Sequence, residues 1–265
     1  MTVCTSKSLL LLIVYTLTIL PIYTVYVESV LSCELTIFGN SNKPPKNYLD
    51  QQGKPQGILV DMMSYLGEKM DCKFNIRLYP WKRAYKYALA GEGGIIGFSK
   101  NSQRLKLFDY SEVMYYDDMI LVTTQRGKFD YQSIKDLRGK TLSVTLGSSF
   151  GDEYDNAVAS KLFSVRAAPF PEDRLLQLLS GQVDVVLLGP GKLGLHAAIA
   201  QNEKLKQQQN QFVILPKPFK RDPNFLGIAK TLNRQPFIKR FNQALHEGVN
   251  SGKFNDILLR YLTEK

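Results

Sequence analysis

Residues 141–151, TLSVTLGSSFG, decide how this chain of 265 residues is read. A strand-like run over 141–146 enters a polar, glycine-containing loop, Gly147-Ser148-Ser149-Phe150-Gly151, and a helix is predicted from Asp152. This is a restart, because the first half has already used the same plan. There a strand, LTIFGN over 35–40, ends in a polar loop that begins with Asn40, Ser41 and Asn42. In the helix that follows, Met62, Met63, Leu66 and Met70 keep helical spacing, with Asp61 as the predicted N-cap. A second strand over 74–79 leads through Pro80 to a helix whose inner face is predicted to be Ala84, Tyr85, Ala88 and Leu89, stopped by Gly91 and Gly93. After the restart come a strand over 164–170, a helix with Leu175, Leu176, Leu178 and Leu179 inward, and a strand over 184–188 stopping at Gly189. Alternating strands and helices make this an α/β chain in two units, with residues 128–215 a smaller version of the first. Two closing helices carry Phe237, Phe241 and Leu245, then Phe254, Leu258 and Leu262, at four-residue intervals. Such faces need a sheet to cover, so the chain is predicted to return to its first unit.

Open α/β sheets place ligands beyond their strand ends, and several ends here carry suitable groups. In residues 93–111, GGIIGFSKNSQRLKLFDYS, a glycine-led apolar strand closes on Phe98, itself an expected ligand contact, and turns polar at once. Ser99, Asn101 and Ser102 offer short hydrogen-bonding groups, and Arg104 a planar fork that suits a carboxylate or phosphate. The alternative is a surface arginine after a strand. Trp81, the single tryptophan, stands where the second strand stops, at the same sheet edge as Asn40; it either stacks on a ligand or caps the core. Ser148 and Ser149, beside a predicted helix N-terminus, form a second anion-friendly loop.

Lys plus Arg is 34 against 24 for Asp plus Glu, a net charge of +10. That suits an anionic partner, but the basic clusters over 217–221 and 234–240 are broken by prolines and aromatics, so no nucleic-acid stripe is expected. No cofactor and no metal is expected either. The two histidines, His196 and His246, lie away from the predicted strand-end site and form no triad spacing, so no catalytic residue is assigned. Near the N-terminus, Lys7 precedes an uncharged apolar run over 8–27, followed by the small residues Ser29 and Ser32. Residues 1–32 thus read as a signal peptide, with an uncleaved anchor and lipid attachment at Cys33 as open alternatives; export places the chain in the periplasm or outside the cell. Cys33 and Cys72 each stand two residues before a strand-like run. If those strands lie side by side and parallel, the two sulfurs meet, and a disulfide is predicted; the alternative is two small buried apolar residues.

The order of elements resembles extracellular solute-binding proteins of family 3, the polar amino-acid-binding proteins of ABC transporters. The resemblance covers residues 35–262 and rests on GILVDMM, PWKRA with LAGEGG, SKNSQRLKLFDYS before a Tyr-Tyr pair, IKDLRGKTLSVTLGSS, and GQVDVVLLG. It implies a two-lobed periplasmic-binding-protein-like fold with a hinge of two crossing strands that closes on one ligand. Lobe 1 would be residues 33–123 with 220–265, and lobe 2 residues 124–219. By the same resemblance Arg104 and Ser99 bind a ligand carboxylate, Trp81 packs on the ligand, and Ser148 and Ser149 help from lobe 2. The acids that usually grip an α-ammonium fall on Gly189 and Asn40, so the ammonium end departs from the family; Asp117 or Asp118 is the nearest replacement. The expected function is capture of a small carboxylate-bearing solute by a monomer that serves an ABC permease. A membrane-anchored sensory module and a dehydratase-like enzyme are the alternatives.

Overall fold

The computed structural model describes residues 33–263, so the leader expected over 1–32 lies outside the described residues. Strand β1 (Cys33–Asn40) is followed by three short strands of a separate small sheet, β2 (Asn42–Lys43), β3 (Asn47–Leu49) and β4 (Pro55–Gln56), then helix α1 (Ile58–Met70) and β5 (Cys72–Tyr79). Next come α2 (Trp81–Leu89), β6 (Gly94–Phe98), α3 (Ser102–Leu107), β7 (Phe108–Tyr110) and the long β8 (Tyr115–Thr124). The restart supplies β9 (Thr141–Thr145), α4 (Asp152–Ala159), β10 (Ser164–Ala168), α5 (Pro171–Leu179), β11 (Val185–Leu188), α6 (Gly191–Ala200), α7 (Glu203–Gln207) and β12 (Phe212–Ile214). A second long strand, β13 (Lys220–Ala229), leads to α8 (Gln235–Asn250) and α9 (Lys253–Thr263).

The main sheet runs β10-β9-β11-β8-β13-β6-β1-β5. Its two halves are mainly parallel, β5, β1 and β6 in one and β10, β9 and β11 in the other. They are joined by the antiparallel pair of long strands, which align Tyr115 with Asn224 and Met119 with Lys220. Beyond that overlap the two strands part. β8 goes on along β11, and β13 along β6 and β7. Each half therefore keeps its own core on the two faces of its own sheet, and only β8 and β13 belong to both.

In the first half, Met62, Met63, Leu66 and Met70 of α1 face Ile37 and Ile96 of the sheet, and α8 and α9 add Phe241, Leu245, Phe254 and Ile257 to the same cluster. The chain does return to its first sheet, and each such side chain contributes about 1.5–3 kcal/mol by leaving water. The helix begins three residues before Asp61, which sits in its first turn rather than at the cap. The capping position is Gly57, at φ 118°, where a Cβ would lie 2.6 Å from the Lys46 carbonyl oxygen; only glycine allows that close pass. On the opposite face α2 buries Trp81, Ala84 and Ala88, whereas Leu89, expected inward, is exposed at the end of the helix. In the second half, Tyr154 and Ala157 of α4 pack on one face, and Leu175, Leu178, Leu195 and Ile199 of α5 and α6 on the other.

β1 and β5 pair in parallel with Cys33 opposite Cys72, and the two cysteines form a disulfide across that first rung. The predicted bridge is present. It closes a separation of 39 residues at the strands' starts, at the far end of β1 from Asn40.

Candidate functional site

A cavity lies where the strands of both halves end. In this closed arrangement it holds about 30 Å³ of free space, so a solute would enter with the cleft open. Its lining joins Asn40 from β1, Trp81 from α2, Ser99 and Arg104 around α3, and Ser148 and Ser149 after β9. Six residues expected at a site on sequence grounds thus meet in one place, from four separate stretches of chain.

Arg104 is 5% exposed. Its helix starts where Asn101 caps it, the Asn101 Oδ1 accepting from the Arg104 backbone N–H at 2.7 Å. The side chain runs over aromatic faces, with the guanidinium carbon 4.7 Å from the Phe98 ring centre, 5.5 Å from Tyr85 and 6.0 Å from Trp81. Nη1 donates to the Ser99 carbonyl at 3.0 Å. Burial lowers the guanidinium pKa from its usual value, and no ion pair to Arg104 occurs among the described residues. A buried cation with fixed aromatic walls, no carboxylate partner and a cavity beside it is poised to receive an anion.

The cleft is closed beside Arg104 by hydrogen bonds between the halves. Trp81 Nε1 donates to the Gly147 carbonyl at 3.2 Å. Asn101 Nδ2 donates to Ser149 Oγ at 2.9 Å and to Asp155 Oδ2 at 2.8 Å, and Ser102 binds Asp152. Further along, Asn42 Nδ2 donates to Glu172 at 3.3 Å. The first turn of α4 carries three acids, Asp152, Glu153 and Asp155, which disfavour an anion at that helix N-terminus.

Two expected residues are elsewhere. Phe98 is fully buried in the aromatic cluster beneath Arg104, supporting the guanidinium without lining the cavity. Gly189 stands behind the lining: a Cβ there would lie 2.8 Å from Asp117 Oδ1 and 2.6 Å from the Met119 sulfur. The space a side chain would use at Gly189 is occupied by Asp117, an acid brought in on the neighbouring β8. Asp118 alternates outward and is exposed.

Sequence reasoning missed the floor of the cavity. Lys46 is 2% exposed, and its ammonium pairs with Asp117 Oδ2 and donates to Asn224 Oδ1 at 2.9 Å. Asp222 accepts from Ser99 Oγ and lies 2.8 Å from Lys220 Nζ. Burial alone would raise the Asp117 pKa, but Lys46 and then Lys43 outweigh it, and the carboxyl is held below its ordinary range. Asp117 Oδ1 is buried and has no hydrogen-bond partner. Lys43, half-buried at the end of β2, also lines the cavity. Burial, helped by the Lys46 ammonium, pushes its amine down to about 7.

Two cored halves, two shared strands and a closed polar cleft define a two-lobed ligand-binding protein. The sequence profile of the bacterial extracellular solute-binding proteins, family 3, matches residues 35–264, and the chain belongs to that family. It is 22% identical over 267 residues to the probable amino-acid-binding protein YxeM of Bacillus subtilis (strain 168), covering 91% of this chain and 95% of that protein. Over 154 residues it is 26% identical to the putative amino-acid ABC transporter-binding protein PatH of Vibrio harveyi, covering 48% of this chain and 58% of that one. Among solved structures, an ancestral arginine-binding protein bound to arginine superposes with a TM-score of 0.70 at 22% identity, covering 86% of this chain and 97% of that one. These relatives are binding proteins rather than enzymes. The family is extracytoplasmic, and no helix among the described residues is long and apolar enough to cross a membrane.

Proposed function

We propose that the chain is an exported, monomeric solute-binding protein that closes its two lobes on a small carboxylate-bearing, amino-acid-like solute and presents it to an ABC permease. Residues 1–32 would direct export to the periplasm or the exterior. The lobes would comprise residues 33–123 with 220–265 and residues 124–219. The observation that carries this reading is Arg104, a buried guanidinium facing the cavity with no carboxylate of its own. Ser99, Ser148 and Ser149 stand around it, Trp81 supplies an apolar wall, and Asn40 lines the cavity at the end of β1.

The ammonium of an amino acid would need an acid, and Asp117 Oδ1 is a buried lining carboxylate oxygen without a hydrogen bond, whereas its counterpart Asp222 Oδ1 already faces Lys220 Nζ at 2.8 Å. Asp117 takes over the role that a side chain at Gly189 would otherwise play. A thermal-shift screen across amino acids, organic acids and small anions tests the reading, because a ligand that binds only the folded protein raises the unfolding midpoint by mass action. At least one carboxylate-bearing compound should stabilise the protein, and Arg104→Ala should remove that response. A response carried only by compounds without an anionic group would overturn it. Addition of the stabilising compound should also perturb Trp81 fluorescence.

A further inference from the structure

The cavity holds more cations than its own acids can pair. Lys46 is matched by Asp117, and Asp222 by Lys220. Two lining cations remain, Arg104 and Lys43, and neither has an ion pair among the described residues. The Lys43 ammonium makes no hydrogen bond among the described residues either, although its neighbour Asn42 is tied across the cleft to Glu172. Arg174 of α5 is 2% exposed, is in no ion pair among the described residues, and adds its positive charge to the field at Lys43.

We propose that the ligand carries a second anionic group, which Lys43 receives while Arg104 holds the first, so that the site takes a dicarboxylate in preference to neutral or basic analogues. This rests on the reading of Arg104 as the carboxylate clamp. A neutral side chain would leave the Lys43 ammonium unpaired in a closed cleft, and a basic one would meet Lys43 and Lys46, with the charge of Arg174 behind them adding to the repulsion. With Arg104 engaged by the first group, a second anion would pair the lining cation that has no ion pair among the described residues. The groups facing Lys43 from the surrounding elements are Lys46, Asp117 of β8, Asp222 of β13 and Arg174 of α5. Because the Lys43 amine is pushed down to about 7, binding of the second anion draws a proton onto it, and affinity falls as pH rises through and above neutrality.

Calorimetric titration with L-glutamate, L-aspartate, glutarate, L-glutamine and L-arginine tests the proposal on the purified protein, on Lys43→Met, which keeps most of the apolar stem, and on Lys43→Arg. An acidic compound should bind at least about tenfold tighter than glutamine or arginine, as expected for one charge-assisted hydrogen bond. Lys43→Met should lose that preference and its pH dependence between 6 and 9, while Lys43→Arg keeps the preference. Glutamate against glutarate reports whether Asp117 reads an ammonium. Glutamine or arginine binding as tightly as glutamate would overturn the dicarboxylate assignment and leave the carboxylate clamp standing. Equal losses for glutamate and glutamine in Lys43→Met would make the lysine structural. Absence of any Arg104-dependent carboxylate binding would overturn the clamp and this inference together.

Discussion

Two arginines, one in each half of the molecule, are almost equally buried. Arg104 is 5% exposed and Arg174 2%, and neither has an ion pair among the described residues. They differ in what the guanidinium faces. Arg174 turns inward, donating from Nη1 to the Leu187 carbonyl at 2.9 Å and from Nε to the Phe170 carbonyl at 3.4 Å, and so ties α5 to the end of β11. Its burial pushes the guanidinium down to about 10, and it is absent from the cavity lining. Arg104 makes one side-chain bond, to its own loop, and opens on the cavity. A buried arginine is therefore no sign of a site by itself; one with donors left over beside a polar cavity is.

The contrast breaks if the two respond alike to truncation. Arg104→Ala should weaken any carboxylate ligand by at least about 100-fold, since removing one side of a buried charge pair costs on the order of 3–5 kcal/mol. The midpoint of the ligand-free protein should move little, because the side-chain hydrogen bond that is lost stays within its own loop and an unpaired buried charge is removed with it. A large fall in that midpoint would make Arg104 a structural residue like its counterpart.

A control separates stability from binding. Replacing Cys33 and Cys72 together by serine should lower stability by about 2–4 kcal/mol, from the loop that the bridge closes across 39 residues. Ligand affinity at 25 °C should stay within about twofold, because Cys33 stands at the opposite end of β1 from Asn40, roughly 23 Å away along an extended strand. If affinity collapsed with the bridge, the Arg104 experiment could no longer be read as local. Arg174→Met completes the pair with the opposite outcome. It leaves the Leu187 carbonyl without its donor, so the ligand-free midpoint should fall by roughly 3–8 °C, as for a loss of about 1–3 kcal/mol, with affinity changed only a few-fold.

The two regions were also unequally legible. Arg104, Ser99 and Trp81 sit at ends of apolar runs, where a strand's stop marks its open edge, and the Cys33–Cys72 bridge followed from strands taken as parallel neighbours. The strand β13 was visible only in its apolar second half. Its first half, Lys220 to Asn224, contains Pro223 and no apolar run, yet it pairs with β8 and brings Asp222 and Asn224 to the cavity lining. Hydrophobic alternation reports a strand facing a core; a strand facing a polar cavity alternates between two kinds of polar residue and carries no such signal. Lys46 was hidden for a related reason. A lysine is buried only when a partner allows it, and its partner Asp117 lies 71 residues away in sequence. Gly189 was read as a missing acid, and only the packing of β8 beside it shows where the acid went.

The smallest expected effect concerns the cation that sets the cleft's surplus charge. The Lys43 amine is pushed down to about 7 in the folded protein by burial and by Lys46, against an ordinary value of 10.5. Between those values the unfolded chain binds the proton more tightly than the folded one, so the ligand-free protein gains stability as pH rises from about 7 toward 10. The lysine is half-buried, and water screens part of its penalty, so the gain is modest. Above about pH 9 the phenols of Tyr110, Tyr115 and Tyr154, raised well above their usual range by burial, act in the opposite sense, since the unfolded tyrosines ionise first. The comparison belongs between pH 6.5 and 9. There Lys43→Met should start more stable than the natural protein, and its advantage should shrink as pH rises. A constant difference across that range would mean that Lys43 keeps its charge throughout, and that the second anion would bind without drawing in a proton.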